Sequence, residues 1–359
     1  MTWLIQEVRR QDGRWETGQG RNSLRMLLPG LLVAGTIALL AFALEWVELS
    51  LVDHRVIEGL VIALLIGVVV ANTVGVSETV QPGATFASKS VLEFAVVLLG
   101  SSIDVDQVLA GGVRLLIAVT LGVLLGLCMS LVLGRLLGLP PRLGYLVAVG
   151  NAICGNSAIA AVAPVVKAER HEVASAIGLT AIAGVIVILV LPLTLPEAGV
   201  GHYQYGVVVG MSVYAVPQVV AAAFAVSPLS AQVATLVKLM RVMFLGPLVL
   251  ATGLAVKLRG QGDTKIKRSQ LLPWFVIGFF AFLSLRSLGA IPAEAIDPLR
   301  QGGKALTVWA MAGLGLGVEL AAIRSVGPRL ALTSLLSMAL LVVLSIGLAL
   351  ALGLDGGDL

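Results

Sequence analysis

The sequence predicts an all-α polytopic membrane protein of about eleven transmembrane helices. Three observations predict it. The 359 residues are 58% hydrophobic and only 12% charged, about half the charge of a soluble domain. Six stretches, 26–44, 59–77, 115–134, 143–166, 173–196 and 330–354, contain no Asp, Glu, Lys or Arg, and each is near or above the roughly 18–20 residues that cross a bilayer as a helix. Their apolar runs are continuous rather than alternating, which excludes barrel strands. A water-soluble enzyme is excluded on the same grounds. The two cysteines exclude a disulfide scaffold and a multi-cysteine metal site.

In chain order, residues 1–25 are polar, carry both signs of charge and lack a signal peptide's apolar run, so they read as a cytoplasmic tail. The transmembrane domain follows over 26–355. Hydropathy and punctuation add spans at about 86–103, 205–226, 229–256, 271–289 and 304–322. No charge falls between Glu197 and Lys238, so Ser227-Pro228 must separate the seventh span from the eighth.

Orientation follows the Lys/Arg bias of short loops. With the tail inside and eleven crossings, the inner side collects fifteen basic residues, among them Arg135, Arg142, Lys257 and Arg329. Seven, among them Arg114, Lys167 and Arg170, fall outside. The basic balance is therefore topology, and no basic soluble domain suggests nucleic-acid binding.

An internal repeat is expected next. A five-helix shift makes the first helix an extra element and pairs a repeat over about 56–196 with one over about 205–354. Gly67-Val68-Val69-Val70 then matches Gly206-Val207-Val208-Val209, and Gly150/Gly155 in the fifth span match Gly313, Gly315 and Gly317 in the tenth. An odd shift inverts the second unit, as in many secondary transporters. A seven-helix shift, pairing Gly100-Ser101-Ser102 with Gly315-Leu316-Gly317, is the rival.

The fifth span holds Gly150-Asn151-Ala152-Ile153-Cys154-Gly155-Asn156-Ser157. Gly, Asn and Ser weaken a helix interior, and irregular backbone at membrane depth is tolerated where it lines a cavity or is buried in protein. One reading is a broken helix whose free N–H groups and amides, with Cys154 and Gly155 at the break, face an anion. The other is tight packing through small residues. In the eighth span Lys238 and Arg241 share a face. An intramembrane cation costs about 2.5–3.5 kcal/mol on insertion scales, so these two attract an anionic substrate, pair with Glu93 or Glu319, or snorkel to an interface. Glu93 stands in an apolar frame and could also carry a proton. Asp104 and Glu319 sit near span ends, where ordinary solvation competes with a coupling role. Pro217 predicts a kink in the seventh span, which would open a cavity for Gln218. His54, His171 and His202 are too scattered for a metal cluster, and no nucleophile–base constellation or phosphate loop is present. No enzyme activity, cofactor or metal is expected.

The segment Gly150-Asn151-Ala152-Ile153-Cys154-Gly155-Asn156-Ser157-Ala158 resembles the G-x-x-I-C-G-x-x-A segment of the YeiH sulfate-exporter family. Ala163-Pro164-Val165-Val166-Lys167-Ala168-Glu169, Gln218-Val219-Val220-Ala221-Ala222 and Lys238-Leu239-Met240-Arg241-Val242-Met243 resemble it too, in matching order. That family resembles the bile-acid symporters and cation–proton antiporters. The likeness implies inverted five-helix repeats, two discontinuous crossing helices (the fifth and tenth spans) and a multi-pass place in a bacterial inner membrane. This chain departs from the pattern at Tyr214-Ala215, where many members have a His-acid pair, and at Glu93, where many have Arg.

The expectation is a secondary transporter of a small anion, sulfate-like by resemblance, with an anion channel or facilitator as the alternative and a membrane-embedded enzyme or sensor as a third, disfavoured by the lack of a catalytic constellation. Asn151, Cys154, Gly155, Asn156, Ser157 and Gln218 would contact the solute. Lys238 and Arg241 would supply positive potential, and Glu93 and Glu319 would balance charge or couple. The partners are the solute and the bilayer, with a homo-oligomer left open.

Overall fold

A computed structural model describes residues 21–52, 58–102, 112–196, 199–258, 273–318 and 328–354. Among these every regular element is helical. Among the described residues five helices are long and apolar enough to cross a membrane: Arg25–Ser50, Gln81–Leu99, Gly112–Leu136, Pro228–Leu258 and Arg329–Ala351. Gly59–Thr73 and Trp274–Ser287 are apolar and shorter. Large apolar side chains such as Leu39, Leu124, Leu332 and Val343 stand exposed along them, as a lipid-facing surface requires. Contacts group the chain into two units, Met1–Leu92 with Val308–Gly317, and Glu93–Thr307 with Val318–Leu359.

The first unit contains α1 (Arg21–Val52), α2 (Gly59–Thr73), α3 (Gln81–Phe86) and a π-helical turn (Ala87–Val91) that leads into α4 (Leu92–Leu99). Small residues set its packing. A Cβ on Gly30 would lie 2.6 Å from Gly83 Cα, so α1 and α3 cross backbone to backbone. The end of α14 (Ala293–Leu316) belongs here as well. In the tenth span α14 ends at Leu316, directly before Gly317, and residues 319–327 lie outside the described residues, while Gly313 and Gly315 stay within the helix. These glycines are contact surfaces. Gly315 meets Gly67, with 2.9 Å between a built Cβ and the opposing Cα, and Gly313 meets Ala84 and Ala87. Glu319 lies outside the described residues.

The second unit holds α5 (Gly112–Leu136), α6 (Pro141–Ala152), α7 (Asn156–Val162), α8 (Arg170–Thr194), α9 (His202–Ser212), α10 (Val216–Phe224), α11 (Pro228–Met243), α12 (Leu245–Leu258), α13 (Trp274–Ser287) and α15 (Pro328–Ala351). A stripe of small residues on α5, Gly122, Gly126, Ser130 and Gly134, is buried. Gly126 faces Leu341 and Gly134 faces Thr333, so α15 runs antiparallel to α5.

The fifth and seventh spans do not continue past their breaks; they fold back. A straight helix would separate Gly150 from Ile159 by about 13 Å, yet a Cβ on Gly150 would lie 2.9 Å from Ile159 Cδ1. Further from the turn, Tyr145 and Val166 line one cavity. The pair α6–α7 is thus a helical hairpin. In the pair α9–α10 the Tyr205 hydroxyl donates to Ala222 O across 3.0 Å, which makes a second hairpin. At its base Ser230 Oγ donates to His202 O.

The continuous rod α11–α12 orients both hairpins. Gly206 packs on Ser230 and Val233, and Gly210 on Ala234 and Val237, so α9 runs parallel to α11 from the base of the second hairpin. At the other end of the rod Thr252 bonds Tyr145 near the base of the first. The hairpins point at each other, with their tips level with the middle of the rod.

Candidate functional site

The first tip is Ile153-Cys154-Gly155. Gly155 adopts φ 65°, ψ −121°, a conformation open essentially to glycine alone. This lets the chain reverse while Gly155 N–H donates to Gly150 O at 2.8 Å. The second tip, Val213-Tyr214-Ala215, turns through extended residues instead (ψ 145° at Val213, 148° at Ala215). Pro217 does not kink a continuing helix. It stands in the first turn of α10, where the missing N–H costs nothing. Gln218 Oε1 accepts from Ala215 N–H at 3.1 Å, capping the same helix, and Gly184 leaves the space its amide fills.

Each hairpin's first arm ends in carbonyls without helical partners. Lys238 and Arg241 supply donors to both sets. Arg241 gives Nη2 to Asn151 O (2.7 Å), Nε to Ala152 O (3.1 Å) and Nη1 to Gly210 O (2.9 Å) and Val213 O (3.3 Å). Lys238 Nζ reaches Ile153 O (2.5 Å) and Val213 O (2.9 Å). Both side chains are fully buried. Neither cation has a carboxylate partner among the described residues. The pairing with Glu93 is corrected: the Glu93 carboxylate accepts from Trp274 Nε1 at 2.8 Å, beside the Phe94–Trp274 ring contact.

The tips touch each other. A Cβ on Gly155 would lie 3.2 Å from Tyr214 Cβ. Tyr214, in the pair of positions where this chain departs from the family pattern, is buried, and its hydroxyl lies 3.3 Å from Ser334 Oγ on α15.

The polar residues of the first tip divide into two groups. Asn151 is fully buried, its Nδ2 3.4 Å from Ser130 Oγ, and its Oδ1 meets no hydrogen-bonding group of the described residues. Cys154 is buried as well. Asn156 and Ser157, in the first turn of α7, are exposed. The Asn156 Oδ1 accepts from Thr180 Oγ1 at 2.6 Å, which orients the amide so that its NH₂ remains for another partner. Of the expected site residues, Asn151, Cys154, Gly155, Asn156, Ser157, Gln218, Lys238 and Arg241 therefore gather at the two tips, and Glu93 stands with Trp274 instead. Thr180, Ser130 and Ser334 join the tip residues without having been singled out, because a lone hydroxyl in an apolar helix carries no distinguishing pattern.

All-helical architecture, lipid-ready surfaces and opposed hairpins define a multi-pass membrane protein. Residues 29–334 match the family model described as Conserved hypothetical protein 698. A UPF0324 membrane protein of Brucella melitensis is 44% identical over 332 residues, covering 92% of this chain and 93% of the relative. One of Bradyrhizobium diazoefficiens is 44% identical over 325 residues (90% and 92%), and one of Bacillus cereus is 35% identical over 295 residues (82% and 84%). The chain belongs to this family of UPF0324 membrane proteins, with which the YeiH resemblance agrees. No solved structure matches it.

Proposed function

We propose that the protein is a secondary transporter of a small anion, sulfate-like in size and charge, and not an enzyme. The observation that carries the reading is the placement of Lys238 and Arg241 behind two opposed hairpin tips with no described carboxylate to balance them. Two helix C-termini contribute about −0.5 charge each against two full cations. The N-terminal ends of the return arms α7 and α10 add positive potential at the same level. The net field is positive and sits in low dielectric, where it acts on an anion most strongly. Asn156 and Ser157 offer it hydrogen bonds from the exposed side of the tip. The buried Gln218 and Tyr214 position the second tip against the first.

In this reading the hairpins enter the membrane from opposite faces. That is an inverted relation between tip segments of the kind that alternating access uses, although it does not follow the five-helix shift. Among the described residues the re-entrant path leaves nine crossings. It moves Lys167 and Arg170 to the side of Arg135 and Arg142, which strengthens the basic bias of the cytoplasmic face. The N-terminus is cytoplasmic and the membrane is the bacterial inner membrane.

Counter-flow in proteoliposomes tests the reading with sulfate, sulfite and small organic anions. Saturable uptake stimulated by internal anion, reduced in N156A/S157A, is expected. Unsaturable flux without counter-flow stimulation would make it a channel. Flux of cations alone would overturn the anion assignment.

A further inference from the structure

A second site lies at the base of the first hairpin, away from the tips. A cavity of about 450 Å³ opens there between α5, α6 and α12. Arg135, Arg142, Tyr145 and Thr252 provide its polar lining, and Leu131 and Val256 are among its apolar walls. The turn between α5 and α6 holds the two arginines in place. Gly138 takes φ 73°, Leu139 N–H donates to Gly134 O at 2.9 Å and Gly138 N–H to Arg135 O at 3.1 Å, a Schellman closure of α5. Pro141 then starts α6 at once. Arg135 thus sits in the last turn of α5 and Arg142 in the first turn of α6. Both are exposed, and neither has a carboxylate or hydrogen-bond partner among the described residues. Arg329 stands beside the same turn, its Nη1 3.8 Å from a Cβ built on Gly138.

Further along the same helices a second cavity, about 210 Å³, is lined only by apolar side chains and backbone, among them Leu124, Leu127, Ile153, Phe244, Leu248 and Ala251. From Arg135 to Leu124 the α5 helix covers about 16 Å. Half the hydrocarbon thickness of a bilayer is about 15 Å. The charged end, the hydroxyl pair Tyr145–Thr252 at 2.6 Å and the apolar groove follow one another along α5 and α12, and the groove ends at Ala152 and Ile153 of the first tip.

From this order of charge, hydroxyl and hydrocarbon surface, we infer that an anionic phospholipid occupies the site. Its phosphate lies between Arg135 and Arg142, and one acyl chain lies along the α5–α12 groove against the first hairpin tip. Two guanidiniums close to a membrane face suit a phosphodiester. A zwitterionic lipid would bring its own cation into that field, and a free oxyanion would leave the groove unused. The contact with Ile153 makes the lipid a brace for the hairpin that carries the candidate anion site.

Native mass spectrometry and thermal unfolding of the detergent-purified full chain test this, after incubation with phosphatidylglycerol, with phosphatidylcholine, or with inorganic phosphate. Phosphatidylglycerol should be retained and should raise the unfolding temperature, and phosphatidylcholine should do neither. R135Q/R142Q should weaken phosphatidylglycerol retention by about tenfold or more, whereas R135K/R142K keeps the charge and most of the binding. A251W fills the groove and should reduce lipid retention with the arginines intact. Equal retention of phosphatidylcholine, or wild-type retention by R135Q/R142Q, overturns the proposal. Full competition by inorganic phosphate with no effect of A251W overturns it in favour of a free-oxyanion site.

Discussion

Gly155 lies against Tyr214 where the two hairpin tips meet, with room for a hydrogen but not for a relaxed methyl: the Cβ it lacks would sit 3.2 Å from Tyr214 Cβ, at φ 65°. Two independent demands fall on one residue, a backbone conformation and a close approach. Gly155→Ala should therefore destabilise the fold by about 1–3 kcal/mol from backbone strain alone. It should also lower anion flux more than it lowers the amount of folded protein. Thermal unfolding and counter-flow on the same preparation check both. Unchanged unfolding would mean that the tip can turn without the glycine.

The buried cations divide the work. Arg241 bridges four carbonyls of the two tips and Lys238 two. Hydrogen bonds from a charged donor contribute about 1.5–3 kcal/mol each, and an abandoned buried acceptor costs further. Arg241→Met should prevent stable folding. Arg241→Lys keeps the charge but cannot reach all four acceptors, and should lower the unfolding temperature clearly. Lys238→Met removes a charge as well as two bonds and refunds part of its desolvation. It should fold with a smaller loss but bind anions several-fold more weakly. Unfolding temperatures in the order wild type, K238M, R241K, with anion affinity lowest in K238M, are the expected outcome.

Thr180 holds Asn156 by a 2.6 Å bond to its Oδ1. Thr180→Val preserves shape and removes that bond, so the exposed amide is free to rotate. The stability cost should be about 1 kcal/mol. The half-saturating anion concentration in counter-flow should rise several-fold with the maximal rate little changed, because positioning of the solute is lost and the scaffold is not. A proportional fall in rate at unchanged half-saturation would show that Thr180 acts on the fold instead.

Much of this was legible in the sequence, and the part that was not has physical reasons. Charge gaps located the helices because a membrane excludes charge. Gly150 to Ser157 announced an irregular segment because those residues oppose helix. Whether the chain then continued or reversed was not visible at the break itself, since a glycine at positive φ serves either path. The distinguishing signal lay further on: Lys167 and Arg170 ran against the basic bias when they were placed outside. The glycines of the tenth span carry two readings because small residues permit both a break and a close helix crossing: Gly315 packs on Gly67, and α14 ends directly before Gly317. The partners of Lys238 and Arg241 were invisible because every residue carries a carbonyl.

The reversal of the fifth span has a direct topological consequence. In a C128S background, which removes the exposed native thiol and leaves Cys154 buried, single cysteines at Arg142 and Lys167 flank the first hairpin. If α6–α7 is re-entrant, a membrane-impermeant maleimide should label both from the same side of oriented vesicles, the cytoplasmic side. A cysteine at Gly201, beyond α8, should be labelled from the other side. A cysteine replacing Ser157, at the exposed face of the tip, should react more slowly than either flank and be protected by transported anion. Labelling of Arg142→Cys and Lys167→Cys from opposite sides would restore a crossing helix and remove the opposed-hairpin site altogether.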